Sequence, residues 1–138
     1  MLAELETVLQ DSEIHALLEQ GFQETAYYDA DGDCVEFLAE NVAYHAKRLD
    51  PWVTVFLSDD DERLVGCLIK NFAVLLRKYR EQFSVVIQQE GVRLDYFFVA
   101  LSAIPETRHP QEETTYHALV TRSNNVLVLV DSEQLCAA

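Results

Sequence analysis

Three aspartates at alternate positions, Asp29, Asp31 and Asp33, are the residues in this sequence best placed by type and spacing to do chemistry. Hard divalent cations seek clusters of carboxylate oxygens. The one-three-five spacing, with Glu40 falling twelfth, is that of a calcium-binding loop. Such a loop also needs glycine sixth, an apolar residue eighth and a helix leading in. Here the sixth residue is Cys34, the eighth is Glu36, and Phe22–Tyr28 reads as a strand. The competing reading is a solvated hairpin turn, and divalent binding by Asp29, Asp31 and Asp33 is the alternative to it. A second acidic run, Asp59, Asp60, Asp61 and Glu62, has no ligand spacing. Four adjacent carboxylates repel one another and stay in water, where they can attract a basic partner.

Catalytic motifs are missing. The sequence has no GxSxG, no SxxK and no phosphate-cradling glycine loop. No two of His15, His45, His109 and His117 have the i, i+4 spacing of a helical metal site. His109 and His117 bracket a proline-rich loop with Glu112 and Glu113 between them; they read as flexible loop residues, with a metal site as the alternative. Cys34, Cys67 and Cys136 are widely spaced with no CxxC pair, and the first two lie in apolar stretches, as reduced core thiols do. No catalytic residue and no cofactor is assigned.

The aromatics say more. Tyr27, Tyr28, Trp52, Phe56, Tyr96, Phe97 and Phe98 fall on stretches that read as strands. Consecutive aromatics on a strand point to both faces of a sheet. Either a helix covers the second face, or that face is a seam for a dimer or a partner segment. The residues expected to bind a partner are Trp52, Phe56, Tyr96 and Phe98, with Asp59, Asp60 and Asp61 as the charged attraction.

The elements that must position these residues follow from periodicity and turn chemistry. Residues 3–20 carry a helical stripe with a phase shift at Asp11-Ser12, and Gly21 stands where a helix ends. Phe22–Tyr28 and Cys34–Leu38 flank Asp29-Ala30-Asp31-Gly32-Asp33 and predict a hairpin. Residues 41–51 have no clear period. Trp52–Leu57 is apolar on both alternating faces, which predicts a strand covered on both sides, and Arg63–Lys70 is its return. Asn71 precedes a stripe of Phe72, Leu75, Leu76, Tyr79 and Phe83, which predicts a second helix. That helix either runs on to Gly91 or stops near Gln82 before a strand over Ser84–Gln89; the β-branched Val85-Val86-Ile87 favours the strand, with a hairpin into Val92–Ser102. Pro105–Thr114 reads as a loop, and Thr115–Arg122 and Val126–Val130 as two closing strands.

These elements predict a single α+β domain over residues 1–138: an antiparallel sheet of hairpins with two amphipathic helices packed on one face. An apolar fraction of 49% suffices for a core. No run approaches the ~20 apolar residues of a membrane span, and the start of the chain lacks the basic and apolar regions of a secretory signal, so a cytoplasmic protein is expected. Residues 1–62 hold sixteen Asp and Glu against Lys47 and Arg48, and so carry the whole net charge of −14; residues 63–138 hold eight of each sign. A phosphate backbone or an anionic membrane repels such a surface, so neither nucleic acid nor membrane is expected as a partner.

The element order resembles that of the type III secretion chaperone-like superfamily, including YbjN-type proteins. The likeness lies in LLEQGF (Leu17–Phe22), the acidic hairpin after it, KNFAVLLRKY (Lys70–Tyr79) and SVVIQQEGVRLDYFFVALS (Ser84–Ser102). The chain departs from that pattern in its closing strands, where many such proteins have a helix, and in the proline-rich stretch after Ser102. YDADGD (Tyr28–Asp33) and LVGCLIKN (Leu64–Asn71) are also similar to a family of small bacterial domains with a YD…D…GI pattern, which implies no activity. The chaperone-like resemblance implies a homodimer that binds segments of other proteins without cofactor or catalytic residues. The expected function is therefore a non-catalytic chaperone-like or adaptor domain, homodimeric, binding segments of a protein partner; the acid excess of residues 1–62 reads as solubility, with attraction to a basic partner as the competing account. The alternative is a small-ligand- or divalent-metal-binding domain, including an enzyme.

Overall fold

The computed structural model of the protein describes residues 25–84, 86–87, 91–104 and 112–130. The helix expected over residues 3–20 lies outside them, as do His15, His109 and Cys136.

Five strands form an antiparallel sheet. The acidic turn folds Thr25–Asp29 (β1) back on Cys34–Leu38 (β2), pairing Tyr28 with Val35 and Tyr27 with Glu36. Tyr44–Arg48 (β3), Val53–Ser58 (β4) and Leu64–Lys70 (β5) form a meander, and the sheet order is β1-β2-β5-β4-β3. The link from β2 to β3 crosses the ends of two strands and is pinned there: Ala39 donates its N–H to the Val65 carbonyl at 2.8 Å, and Asp59 donates to the Ala43 carbonyl at 3.0 Å. β5 bulges opposite Phe56 and Leu57. Gly66 beside that bulge has no room for a side chain, since a Cβ there would lie 2.2 Å from the Phe37 carbonyl oxygen.

The strand period sorts the residues by face. Tyr28, Val35, Phe37, Val53, Val55, Cys67 and Ile69 join the core. Tyr27, Glu36, Leu38, Thr54, Phe56 and Leu68 point the other way, by the pairings of their strands. The expectation that β4 is covered on both sides holds only locally. Val53 and Val55 are buried in the core, whereas Phe56 is screened by Tyr44, whose ring centroid is 4.6 Å away.

Helices cover the core face. Phe72–Lys78 (α1) and the single turn Arg80–Phe83 (α2) replace one expected helix, because Tyr79 leaves helical geometry at φ −114°, ψ 46°. Leu94–Ser102 (α3) and Glu113–Arg122 (α4) complete the layer. A short ribbon pairs Gly91–Arg93 (β6) with Leu127–Leu129 (β7). The α+β class is as expected, but the second half differs in kind. Thr115–Arg122 and most of Val92–Ser102 are helices, not strands, and the described residues of the expected strand 84–89 form none: residues 84 and 86 turn, and Ile87 makes an isolated bridge to Val92. The helical layer thus holds more than the two helices expected.

The reason is packing. Leu94, Phe97, Phe98 and Leu101 recur at the 3.6-residue period inside a run whose one polar member is Asp95, and all four are fully buried. Tyr116 and Leu119 do the same on α4, with Glu113 in its first turn and Arg122 in its last, as the helix dipole favours. A chain of rings then knits helix layer to sheet. Tyr28, Phe72, Phe97 and Phe83 stand at successive centroid distances of 5.7, 5.0 and 5.0 Å, while Phe98 meets Tyr116 edge-on at 6.4 Å. Among the described residues no helix is long and apolar enough to cross a membrane.

Candidate functional site

The acidic turn has a structural task. Asp33 adopts the left-handed conformation at φ 49°, and its Oδ1 accepts the Tyr28 hydroxyl at 2.9 Å and the Ala73 N–H at 2.8 Å. Its carbonyl accepts the Phe72 N–H at 3.1 Å. Asp33 therefore caps α1 from a turn 40 residues away, satisfying N–H groups that open every helix. Burial, followed by the bond to Asp33, raises the Tyr28 phenol well above its ordinary range. Asp29 Oδ1 closes the turn on the Asp31 N–H at 3.1 Å. Among the described residues no group of three or more His, Cys, Asp and Glu side chains is arranged to hold a metal ion, Asp29, Asp31 and Asp33 included.

The second acidic run is an exposed turn between β4 and β5. Asp59 meets His45 Nδ1 at 2.9 Å, Asp61 accepts the Arg63 N–H and Nη1, and Asp60 donates its N–H to the buried Ser58 hydroxyl. Glu40 accepts two nitrogens of Arg63, with Nη2 at 2.8 Å, and also Nη2 of Arg122. The Arg63 hydrogen bonds outweigh the opposing effect of desolvation and, with the charges of Arg122 and Arg63, hold the Glu40 carboxyl below the usual range. The cluster ties the end of α4 to the sheet.

Neither described cysteine is an activated nucleophile. Cys67 is fully buried and burial pushes its thiol up. Cys34 is raised by burial and then by the carboxylates of Asp29, Asp33 and Glu36. Trp52 is half-buried, with the Lys78 ammonium 6.0 Å from its ring, and Phe56 is nearly covered. Phe98, expected to meet a partner, is at 0% exposure in the centre of the core, so it is unavailable to one. Its assignment rested on the strand that is a helix here. Tyr96, at 45%, is the aromatic of the four that is well exposed.

Tyr96 opens onto the site that stands out. α3 carries a second apolar stripe, Tyr96, Val99, Ala100 and Ala103, at the i, i+3, i+4, i+7 spacing of a contact face. With Gln82 and Val86 it lines a groove of 450 Å³. Val99 is 52% exposed. One edge of the groove is rigidly built. The Arg93 guanidinium lies 3.9 Å from the Tyr96 ring centroid and is forked onto Asp95, Nε to Oδ1 at 3.1 Å and Nη2 to Oδ2 at 2.6 Å. Asp95 is buried and also accepts the N–H groups of Tyr96 and Asn125. Burial alone would raise its carboxyl; the Arg93 fork and the two N–H groups outweigh it and hold the group below its ordinary value. The groove presents apolar carbon, one fixed aromatic ring and one amide. It has the chemistry of binding, and among the described residues its lining holds no carboxylate, imidazole or thiol.

Val99, Ala100 and Ala103 went unnoticed in the sequence because residues 92–102 read as strand. The signal was there: two interleaved apolar stripes at helical spacing, one for the core and one left over. A second cleft, of 680 Å³, opens between β1 and β7 and is lined in part by Thr25, Tyr27, Asn124, Leu127 and Leu129. No family model matches this sequence, and no curated protein or solved structure matches it either.

Proposed function

We propose that this chain is a non-catalytic adaptor or chaperone-like domain that acts as a homodimer and binds an amphipathic helical segment of a basic partner protein in the groove along α3. The observation that carries the reading is the surplus stripe of α3. A helix apolar on both faces is built for burial on both, and one face has no cover among the described residues. A helix laid there would present its own i, i+3, i+4 side chains to Tyr96, Val99 and Ala103, with the small Ala100 and Ala103 permitting close approach. The acid excess of residues 1–62 supports a basic partner, since it draws positive charge from a distance and speeds encounter. The resemblance to secretion-chaperone-like proteins supports the same class of function.

The test compares capture of partner by the immobilised wild type with capture by Val99→Glu and by Asp59→Lys/Asp60→Lys. A partner lost with Val99→Glu, and bound more slowly by the charge-reversed protein, is the expected result. Equal capture by Val99→Glu would overturn the reading.

A small-ligand function is the second reading, and the cleft between β1 and β7 favours it. Its 680 Å³ falls within the ~300–1,000 Å³ of small-molecule sites, and Thr25, Asn124 and Asn125 offer polar groups beside Tyr27 and Leu129. A fragment screen read by NMR shifts at Tyr27 and Leu129 distinguishes the two.

A further inference from the structure

Strand β3 has no buried residue: Tyr44, His45, Ala46, Lys47 and Arg48 are all exposed. It stands at the sheet edge and, among the described residues, pairs with β4 alone. Lys47 and Arg48 on it are the basic residues of the chain's first 62 positions, set against sixteen acids.

We propose that β3 is the seam at which two copies of this chain join, strand against antiparallel strand, into one continuous sheet. The seam rests on the homodimeric part of the function proposed above and is independent of the α3 groove.

The backbone sets the register. Leu49 donates its N–H to the Val53 carbonyl at 2.9 Å, and Asp59 donates to Ala43 at 3.0 Å. In an antiparallel ladder hydrogen-bonded and non-bonded pairs alternate, so Ala43, His45, Lys47 and Leu49 direct their backbone groups to β4. Tyr44, Ala46 and Arg48 direct theirs outward. A two-fold axis through Ala46 pairs Ala46 with Ala46 of the second copy and Tyr44 with Arg48, and each pair exchanges both N–H···O=C bonds.

The side chains agree with that register. Arg48 faces Tyr44 of the other copy, whose ring is already held by Phe56. Lys47 lies opposite His45, in the more closely spaced type of pair. His45 is lodged between Asp59 at 2.9 Å and Glu62 at 3.8 Å, so each Lys47 ammonium meets carboxylates across the seam. Moving the axis to Lys47 sets Lys47 against itself, and moving it to His45 sets His45 against itself. Both shorten the ladder. Lysine on a free edge strand also guards against aggregation; the paired carboxylates and the self-complementary register are what a guard alone does not need.

The experiment measures mass in solution by light scattering, together with amide hydrogen exchange. Wild type is expected as a dimer, with the Tyr44, Ala46 and Arg48 amides protected. Ala46→Pro removes an outward N–H while leaving the β4 ladder untouched; it is expected to be a monomer with unchanged circular dichroism. Lys47→Glu serves if Ala46→Pro misfolds, and is expected to weaken the dimer by about tenfold. A wild-type monomer at ~1 mM, a dimer that survives both substitutions, or free exchange of those three amides in a dimer would each overturn the seam. Partner capture separates the two proposals: Val99→Glu loses the partner and stays dimeric, whereas Ala46→Pro retains the partner as a monomer.

Discussion

Tyr116 and Asp50, 66 positions apart, meet inside the protein, where the tyrosine hydroxyl donates to Asp50 Oδ2. The other carboxylate oxygen accepts the N–H groups of Trp52 at 2.8 Å and Val53 at 2.7 Å. Both residues are buried. One bond thus holds the loop that enters β4 against α4. Tyr116→Phe leaves Oδ2 without this donor, and should cost about 1–3 kcal/mol by urea denaturation.

The same tyrosine gives the protein an alkaline limit. Burial first, and then Asp50, raise the Tyr116 phenol above its ordinary range; burial and Asp33 do the same for Tyr28. The unfolded chain releases these protons near pH 10 while the folded chain holds them. Their contribution is therefore complete below about pH 10 and is lost as pH rises beyond it. Denaturation midpoints should fall above that pH, and Tyr116→Phe or Tyr28→Phe should flatten the fall.

The cap that Asp33 places on α1 separates a structural aspartate from a metal ligand. Asp33→Asn keeps an acceptor and tolerates φ 49°, and should change stability by less than about 0.5 kcal/mol. Asp33→Ala loses both, and should cost about 1–3 kcal/mol. Calcium or magnesium should leave the thermal midpoint where it is, because Oδ1 is already taken by Tyr28 and Ala73. A cation at a hundredfold excess over its dissociation constant would add about 2.7 kcal/mol if a site existed, so a melt reads the difference plainly.

Phe98 and Val99 are neighbours with opposite duties. Phe98→Ala should cost about 3–5 kcal/mol, the range for emptying a buried aromatic site. Val99→Glu should stay within about 0.5 kcal/mol of wild type, because its side chain leaves the helix on the groove side. Equal destabilisation of the two would mean that the groove is filled.

Acid should act through Asp95. Its carboxyl is held below the ordinary value, so the stability it confers is present above about pH 4 and is lost as pH falls further. Arg93→Met removes the fork and leaves the burial. The gap in stability between wild type and Arg93→Met should therefore be widest near neutrality and narrow as pH drops through 4.

What the sequence could reveal depended on how many faces each element buries. β1, β2 and their turn were legible because Asp29–Asp33 is strong turn chemistry and Tyr28, Val35 and Phe37 alternate with exposed neighbours. α1 was legible because Arg77 and Lys78 mark its wet side. α3 was not, because its core stripe and its groove stripe overlap, leaving only Asp95 and Ser102 as polar contrast, and its aromatics favour strand in isolation. β3 was ambiguous for the opposite reason: with nothing buried it has no pattern. The groove was lost with the misread α3, although Tyr96 was picked out; Trp52 and Phe56, expected to bind a partner, pack against the core and against Tyr44.

Cys67 has a practical corollary. Its thiol is sealed in the core and held protonated, so an alkylating reagent reaches it only when the domain opens. Cys34, half-buried at the foot of β2, reports on the hairpin alone. Peptide mapping after timed alkylation would read these two positions separately. The protein carries its own stopwatch for breathing, with no label to install.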